Sequence, residues 1–265
     1  MLALAAWQQG CASQPGLQRS SLAKLRTDFG SSRTCPAPAV FEDLLARRFD
    51  SLRTFRGQAR LDYEGPDGSY RASQMITVRA PDSARIEFMS PFGPTYTVVT
   101  DDGRLYAWDR GEKTLYRGRA SVENLGRFTR APLSAEVLLA LIRGLPAHTG
   151  KSKDGGRVLE DERRCAWERG IEGGRHSVIV FSKERLEPLS LAVFGRSGEP
   201  ELGATFGSYE DVDGTRLPHL VTLELKGGIK IRLSYSRLWR DIGAQGGLFD
   251  LNIAGAVRVI DMDQD

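Results

Sequence analysis

The chain has only three histidines and three cysteines in 265 residues, and their spacing excludes most metal and nucleophile chemistry. His148, His176 and His219 have no carboxylate or cysteine at metal-ligand spacing, so each reads as a solvated surface residue. Cys11, Cys35 and Cys165 are too far apart for a C-x-x-C redox pair or a zinc ribbon. There is no G-x-S-x-G elbow; Gly195-Arg-Ser-Gly198 is a turn. Asp211-Val-Asp-Gly214 resembles part of a calcium loop. However, Tyr209 holds the preceding ligand position and no Glu follows at the right distance, which leaves a hairpin turn. No glycine loop of the phosphate-cradling kind is present. After the N-terminus no apolar run approaches the ~18 residues of a transmembrane helix. The 37 basic residues are scattered among 34 acidic ones for a net charge of +3, and no basic cluster is interleaved with aromatics, which argues against nucleic acid as a partner. These absences point to a non-enzymatic protein without a cofactor.

Apolar residues make up 40% and charged residues 27%, the composition of a globular protein with one large or two small domains. At the N-terminus, MLALAAWQQGCAS is a short apolar run ending in Gly10-Cys11 before small and polar residues. A bacterial lipoprotein signal ends in this way, with the Cys becoming the acylated N-terminus. The run from Leu2 to Trp7 is shorter than the usual core of ~7–15 residues and no Lys or Arg precedes it. Gln8 and Gln9 stand where a lipobox prefers an aliphatic and a small residue. The competing reading is an N-terminal stretch with an incidental Cys. If Cys11 is lipidated, Cys35 and Cys165 either pair in an oxidising compartment or remain two free thiols.

The chain divides into 1–11 as a lipoprotein signal, 12–38 as a Ser-, Gly-, Arg- and Pro-rich tether, and 39–265 as a single domain. Phe41, Leu44, Leu45, Phe49 and Leu52 mark one face of a helix over 39–52. From Thr54 the apolar period changes to two. Strands are predicted at 54–63, 69–79, 84–89, 94–101, 103–109 and 113–117, separated by Gly, Pro and Asp turns. Ser134 and Gly144 bracket a helix at 134–143 that is apolar on several faces, with a weaker turn at 121–128. Strands resume at 156–161, 164–172, 175–182, 188–194, 202–209, 217–226 and 229–238, with a last short edge strand near 257–260. In the final hairpin Val221, Leu223 and Leu225, then Ile229, Ile231, Leu233 and Tyr235, line one face around a Gly227-Gly228 turn. The predicted fold is mainly β: a curved antiparallel half-barrel of about 11–12 strands, with helices covering its concave face. Whether that face is a filled core or a cavity is left open.

Ser90-Pro-Phe-Gly-Pro94 is an unusual strand connection, with Phe92 at its tip between stiffening prolines. Either Phe92 folds back onto the sheet or it is a wedge for lipid or protein. Thr54-Phe-Arg-Gly-Gln-Ala-Arg-Leu, Phe88-Met-Ser-Pro-Phe-Gly-Pro-Thr-Tyr-Thr and the stretch from Leu138 to Pro146 together resemble the LolA/LolB-type lipoprotein-localisation proteins, the LolB-type receptor most of all. The resemblance implies an open half-barrel that shelters acyl chains of lipoproteins or lipids and helps place them in the outer membrane. It also implies a lipid anchor at Cys11 on the periplasmic face, a periplasmic LolA-like carrier as donor, and a membrane-contact loop at Pro91, Phe92 and Gly93. Cavity and lid would be formed by Phe88, Tyr96, Val98, Leu138, Leu141, Ile142, Ile231 and Leu233. The alternative is a structural or assembly lipoprotein of the same fold, with a filled core and a protein partner.

Overall fold

The computed structural model describes residues 30–31, 34–147, 155–243, 247–251, 253 and 258–264. Cys11 and His148 lie outside them.

Helix α1 (Pro38–Ser51) precedes a meander of β2 (Thr54–Gly65), β3 (Gly68–Arg79), β4 (Ser83–Ser90), β5 (Gly93–Asp101), β6 (Arg104–Asp109) and β7 (Thr114–Arg119). Helices α2 (Val122–Thr129) and α3 (Ala135–Ile142) follow. A second meander comprises β8 (Arg157–Glu160), β9 (Arg164–Ile171), β10 (Arg175–Ser182), β11 (Pro188–Phe194), β12 (Pro200–Val212), β13 (Thr215–Leu225) and β14 (Ile229–Arg240). Two short edge strands complete one 15-stranded, curved and unclosed sheet: β1 (Gly30–Ser31) against β8, and β15 (Arg258–Asp261) parallel to β7. Only the two-residue β1 has no counterpart among the segments expected as strands, because two residues are too few for a period to register; β8 and β15 fall on the short strands expected at 156–161 and near 257–260.

The alternation in β2 shows why these segments are strands. Phe55, Ala59, Leu61 and Tyr63 are buried, while Arg56, Gln58 and Arg60 face water. A one-residue slip would exchange the two sets, so the register is held by burial.

The order of the strands decides where the helices go. β14 pairs with β2, which joins the two meanders back to front. β7 then lies near one edge of the sheet and β8 near the other, so the chain between them must cross a face of the sheet. It does so as α2 and α3, whose apolar residues share one core with the concave face. α1 covers the β9–β10 region: Phe41 stacks on Phe181 at 4.6 Å and on Trp167 at 6.1 Å. Cys35, just before α1, is disulfide-bonded to Cys165 of β9, and this settles the two thiols as a pair.

His219 departs from the sequence expectation. It is largely buried, with Nδ1 3.2 Å from the Tyr235 carbonyl oxygen and Nε2 3.7 Å from Glu210. β13 carries it into register beside β14, a placement that spacing alone does not reveal. His176 stacks on Phe194 at 5.3 Å. Asp211 accepts a hydrogen bond from the Gly214 amide and closes the β12–β13 hairpin turn.

Candidate functional site

The site consists of the concave face, the α3 lid over it, and the β4–β5 tip at one end. Ser134 caps α3 by accepting from the Val137 amide, as Ser121 caps α2 through Asn124. Leu138, Leu139, Leu141 and Ile142 are all buried, so the lid is apolar on more than one side.

The two ends of the lid are held very differently. At the C-terminal end, the Leu145 amide bonds to the Ala140 carbonyl and Gly144 adopts φ +73°, with the ring of Pro218 where a Cβ would stand. Buried Arg143 donates through Nη1 to the Leu52 carbonyl at 2.8 Å and through Nε to Leu139 at 3.0 Å. Burial pushes its guanidinium down to about 10. Tyr235 donates to the Ile142 carbonyl at 2.7 Å. Its ring fits because the facing residue is Gly57, where a Cβ would come within 2.6 Å of it. The approach to the lid from α2 is held by burial of Ala131 and by an exposed ion pair, Arg130–Asp67 at 2.9 Å, to the β2–β3 turn. Buried hydrogen bonds whose loss strands a partner cost ~1–3 kcal/mol each. An exposed pair contributes ~0–1 kcal/mol.

Between lid and sheet lies a void of about 40 Å³, its lining including Phe88, Val98, Leu138, Ile142, Ile231 and Leu233. At ~10–15 Å³ per water-sized sphere it would hold a few waters, much less than an acyl chain. Thus six of the eight residues expected at a cavity and lid surround this void. Tyr96 lines a separate cleft near α2, and Leu141 is fully buried but borders neither space.

Phe92 is 92% exposed, and Met89 beside it is 38% exposed. The tip is a tight turn: Ser90 Oγ accepts from the Phe92 amide at 3.2 Å and donates to the Gly93 carbonyl at 2.8 Å, and Gly93 takes φ +104°. Pro91 is exposed with it. Phe88 lies four residues before Phe92 and lines the void, so the tip adjoins the space beneath the lid. Arg143 and Tyr235 are functional candidates that sequence reasoning missed. The available signal was a charged residue directly after six consecutive apolar positions, and a phenol on an apolar strand face.

Several solved structures share this architecture. A domain from Vibrio parahaemolyticus, provisionally described as an outer membrane lipoprotein-sorting protein, superposes with a TM-score of 0.53 at 13% identity, covering 80% of this chain and 95% of that one. A DUF1329 family protein from Desulfovibrio piger gives 0.55 at 17% identity, covering 81% and 98%. A LolA superfamily protein from Nitrosomonas europaea gives 0.52 at 12%, covering 76% and 94%. No protein-family model and no curated protein matches the sequence. At these identities the likeness is one of fold: the chain has a LolA/LolB-like fold. Among the described residues no helix is long and apolar enough to cross a membrane.

Proposed function

We propose that this protein is a non-enzymatic, membrane-anchored carrier or receptor that binds acyl chains of lipids or lipoproteins and helps place them in the outer membrane. The observation that carries this reading is the apolar lid, closed over an aliphatic concave face and, among the described residues, tied by buried side-chain hydrogen bonds at its C-terminal end. Leu138, Leu139, Leu141 and Ile142 contribute ~1.5–3 kcal/mol each when buried, so ~6–12 kcal/mol together. An acyl chain of about fifteen methylenes, at ~0.8 kcal/mol each, offers a similar ~12 kcal/mol. Chain and lid can therefore exchange for the same face at little net cost, which suits loading followed by release. The lid swings from its Arg143–Gly144 end and opens toward the Phe92 tip. The Cys35–Cys165 bond supports an oxidising, periplasm-facing location. In this reading Cys11 is the lipid anchor, Phe92 meets the membrane, and a LolA-like carrier serves as donor.

The small void also supports a second reading, a filled-core assembly lipoprotein acting through a protein partner. Mass spectrometry of protein purified from membranes separates the two. Acylated ligand bound in stoichiometric amount is expected; no co-purifying lipid together with no uptake of a fluorescent fatty-acyl probe would favour the filled core. Cys11→Ala should move the protein from the membrane to the soluble fraction, and unchanged fractionation without acyl mass on Cys11 would refute the anchor.

A further inference from the structure

A second cleft, of about 310 Å³, lies outside the lid cavity, and its lining includes Tyr96, Tyr116, Phe128, Asp109 and Glu112. That volume is at the small end of the range for ligand sites, ~300–1,000 Å³. Phe128 of α2 sits 6.0 Å from the Tyr96 ring and 5.4 Å from the Tyr116 ring, so three aromatic rings form one continuous wall. Asp109 and Glu112 flank the β6–β7 turn, where Asp109 Oδ1 accepts from the Glu112 amide at 3.0 Å. Neither carboxylate has an ion-pair partner among the described residues. Their charge is felt at Tyr96, whose phenol is pushed well above its usual range, first by burial and then by Tyr116, Asp109 and Glu112. Arg127 also borders the cleft, so two carboxylates and one guanidinium leave a net charge of −1.

Aromatic faces beside carboxylates are the surroundings that an organic ammonium prefers. The ring quadrupole attracts the cation, and the carboxylates supply the counter-charge. The place of the cleft narrows the source. Tyr96 follows the Phe92 tip on β5, and the Arg110 amide bonds to the Thr95 carbonyl at 3.1 Å. The Arg110 guanidinium lies 3.8 Å from where a Cβ on Gly93 would stand. An exposed phenylalanine, an arginine and an anionic aromatic cleft thus share one end of the sheet. We propose that this cleft binds the ammonium of a phospholipid headgroup, with Arg110 facing the phosphate level. The proposal rests on the reading that the Phe92 end meets a membrane.

The test uses the full chain with two probes. One is soluble glycerophosphoethanolamine, followed by NMR titration; the other is flotation with vesicles of phosphatidylethanolamine and phosphatidylglycerol against phosphatidylglycerol alone. Wild type should bind the soluble probe and favour ethanolamine vesicles at least threefold. Asp109→Asn with Glu112→Gln should weaken the soluble probe at least fivefold and abolish the vesicle preference. Glu112→Gln alone changes an exposed side chain, keeps the fold, and should cause part of that loss. Phe92→Glu should lose both vesicle types yet keep the soluble probe, so failure of membrane contact is distinguishable from failure of the cleft. The proposal is overturned if the soluble probe does not bind, or if the double variant keeps the ethanolamine preference. Binding of the soluble amine without any vesicle preference also overturns it, because the cleft would then serve a free amine.

Discussion

Tyr235→Phe removes one hydroxyl from a fully packed site and leaves the ring in place against Gly57 and at the edge of Phe55, 5.8 Å away. The lost hydroxyl is the donor to the Ile142 carbonyl, at 2.7 Å in the last turn of the lid. Burial pushes this phenol far above its usual range, so it remains a donor through any pH at which the protein is handled. In the variant the carbonyl is left without that donor in a dry environment, at a cost of ~1–3 kcal/mol. For a domain of this size ~2–4 °C of melting temperature accompanies each kcal/mol, so the Tm should fall by ~2–12 °C. The bond lies at the held end of the lid, one residue before Arg143, so it persists while the other end swings away. Uptake of a fluorescent fatty-acyl probe should then change by less than ~3-fold, at ~1.4 kcal/mol per tenfold. Scanning calorimetry and stopped-flow uptake on the same samples give both values. A lower Tm with uptake faster by ~5–150-fold would refute the hinge at Arg143–Gly144, because opening would then have to break this bond. An unchanged Tm would show that the carbonyl finds another donor.

Phe92→Glu should leave the Tm within about a degree or two, since exposed substitutions are usually within ±0.5 kcal/mol, while vesicle association falls. A loss of several degrees for Phe92→Ala, comparable to the ~3–5 kcal/mol of a core phenylalanine, would end the wedge reading. Replacing Cys35 and Cys165 with Ser opens a link between residues 130 positions apart, and should cost ~2–5 kcal/mol by urea denaturation; a change under ~1 kcal/mol would contradict it. Arg169 is 1% exposed, stands 4.9 Å from the Trp167 ring, and has no hydrogen-bond partner for Nη1 or Nη2 among the described residues, although Nε reaches Ser177 at 3.3 Å. Arg169→Met should therefore match or exceed the wild-type Tm, because it removes a poorly compensated buried charge; a drop of more than ~5 °C would show that the guanidinium supports the fold.

Much of the fold could be read along the chain because its signals are local. Period-two alternation located β2 to β7 and β9 to β14 to within a few residues, and the bracketing Ser134 and Gly144 located the lid. The Ser90–Pro94 tip was legible as an oddity, since a large apolar residue between prolines has no local use. Its outward direction was not legible, because an amphipathic hairpin tip can lie on either side. The same holds for Cys35 and Cys165, whose meeting depends on α1 docking over β9.

The sequence by itself determined which segments are strands and helices and which face of each is apolar, because those properties depend on neighbours two to four residues away. Only the tertiary structure decided that β14 closes against β2, which sends the α2–α3 connection across the concave face and makes a helix into a lid. Only there do Arg143 and Leu52, 91 residues apart, anchor one end of the lid, and only there is the hollow seen to shrink to about 40 Å³. The reason is physical: alternation is set by local geometry, whereas pairing partners, anchoring contacts and voids are set by how whole apolar faces fill one another.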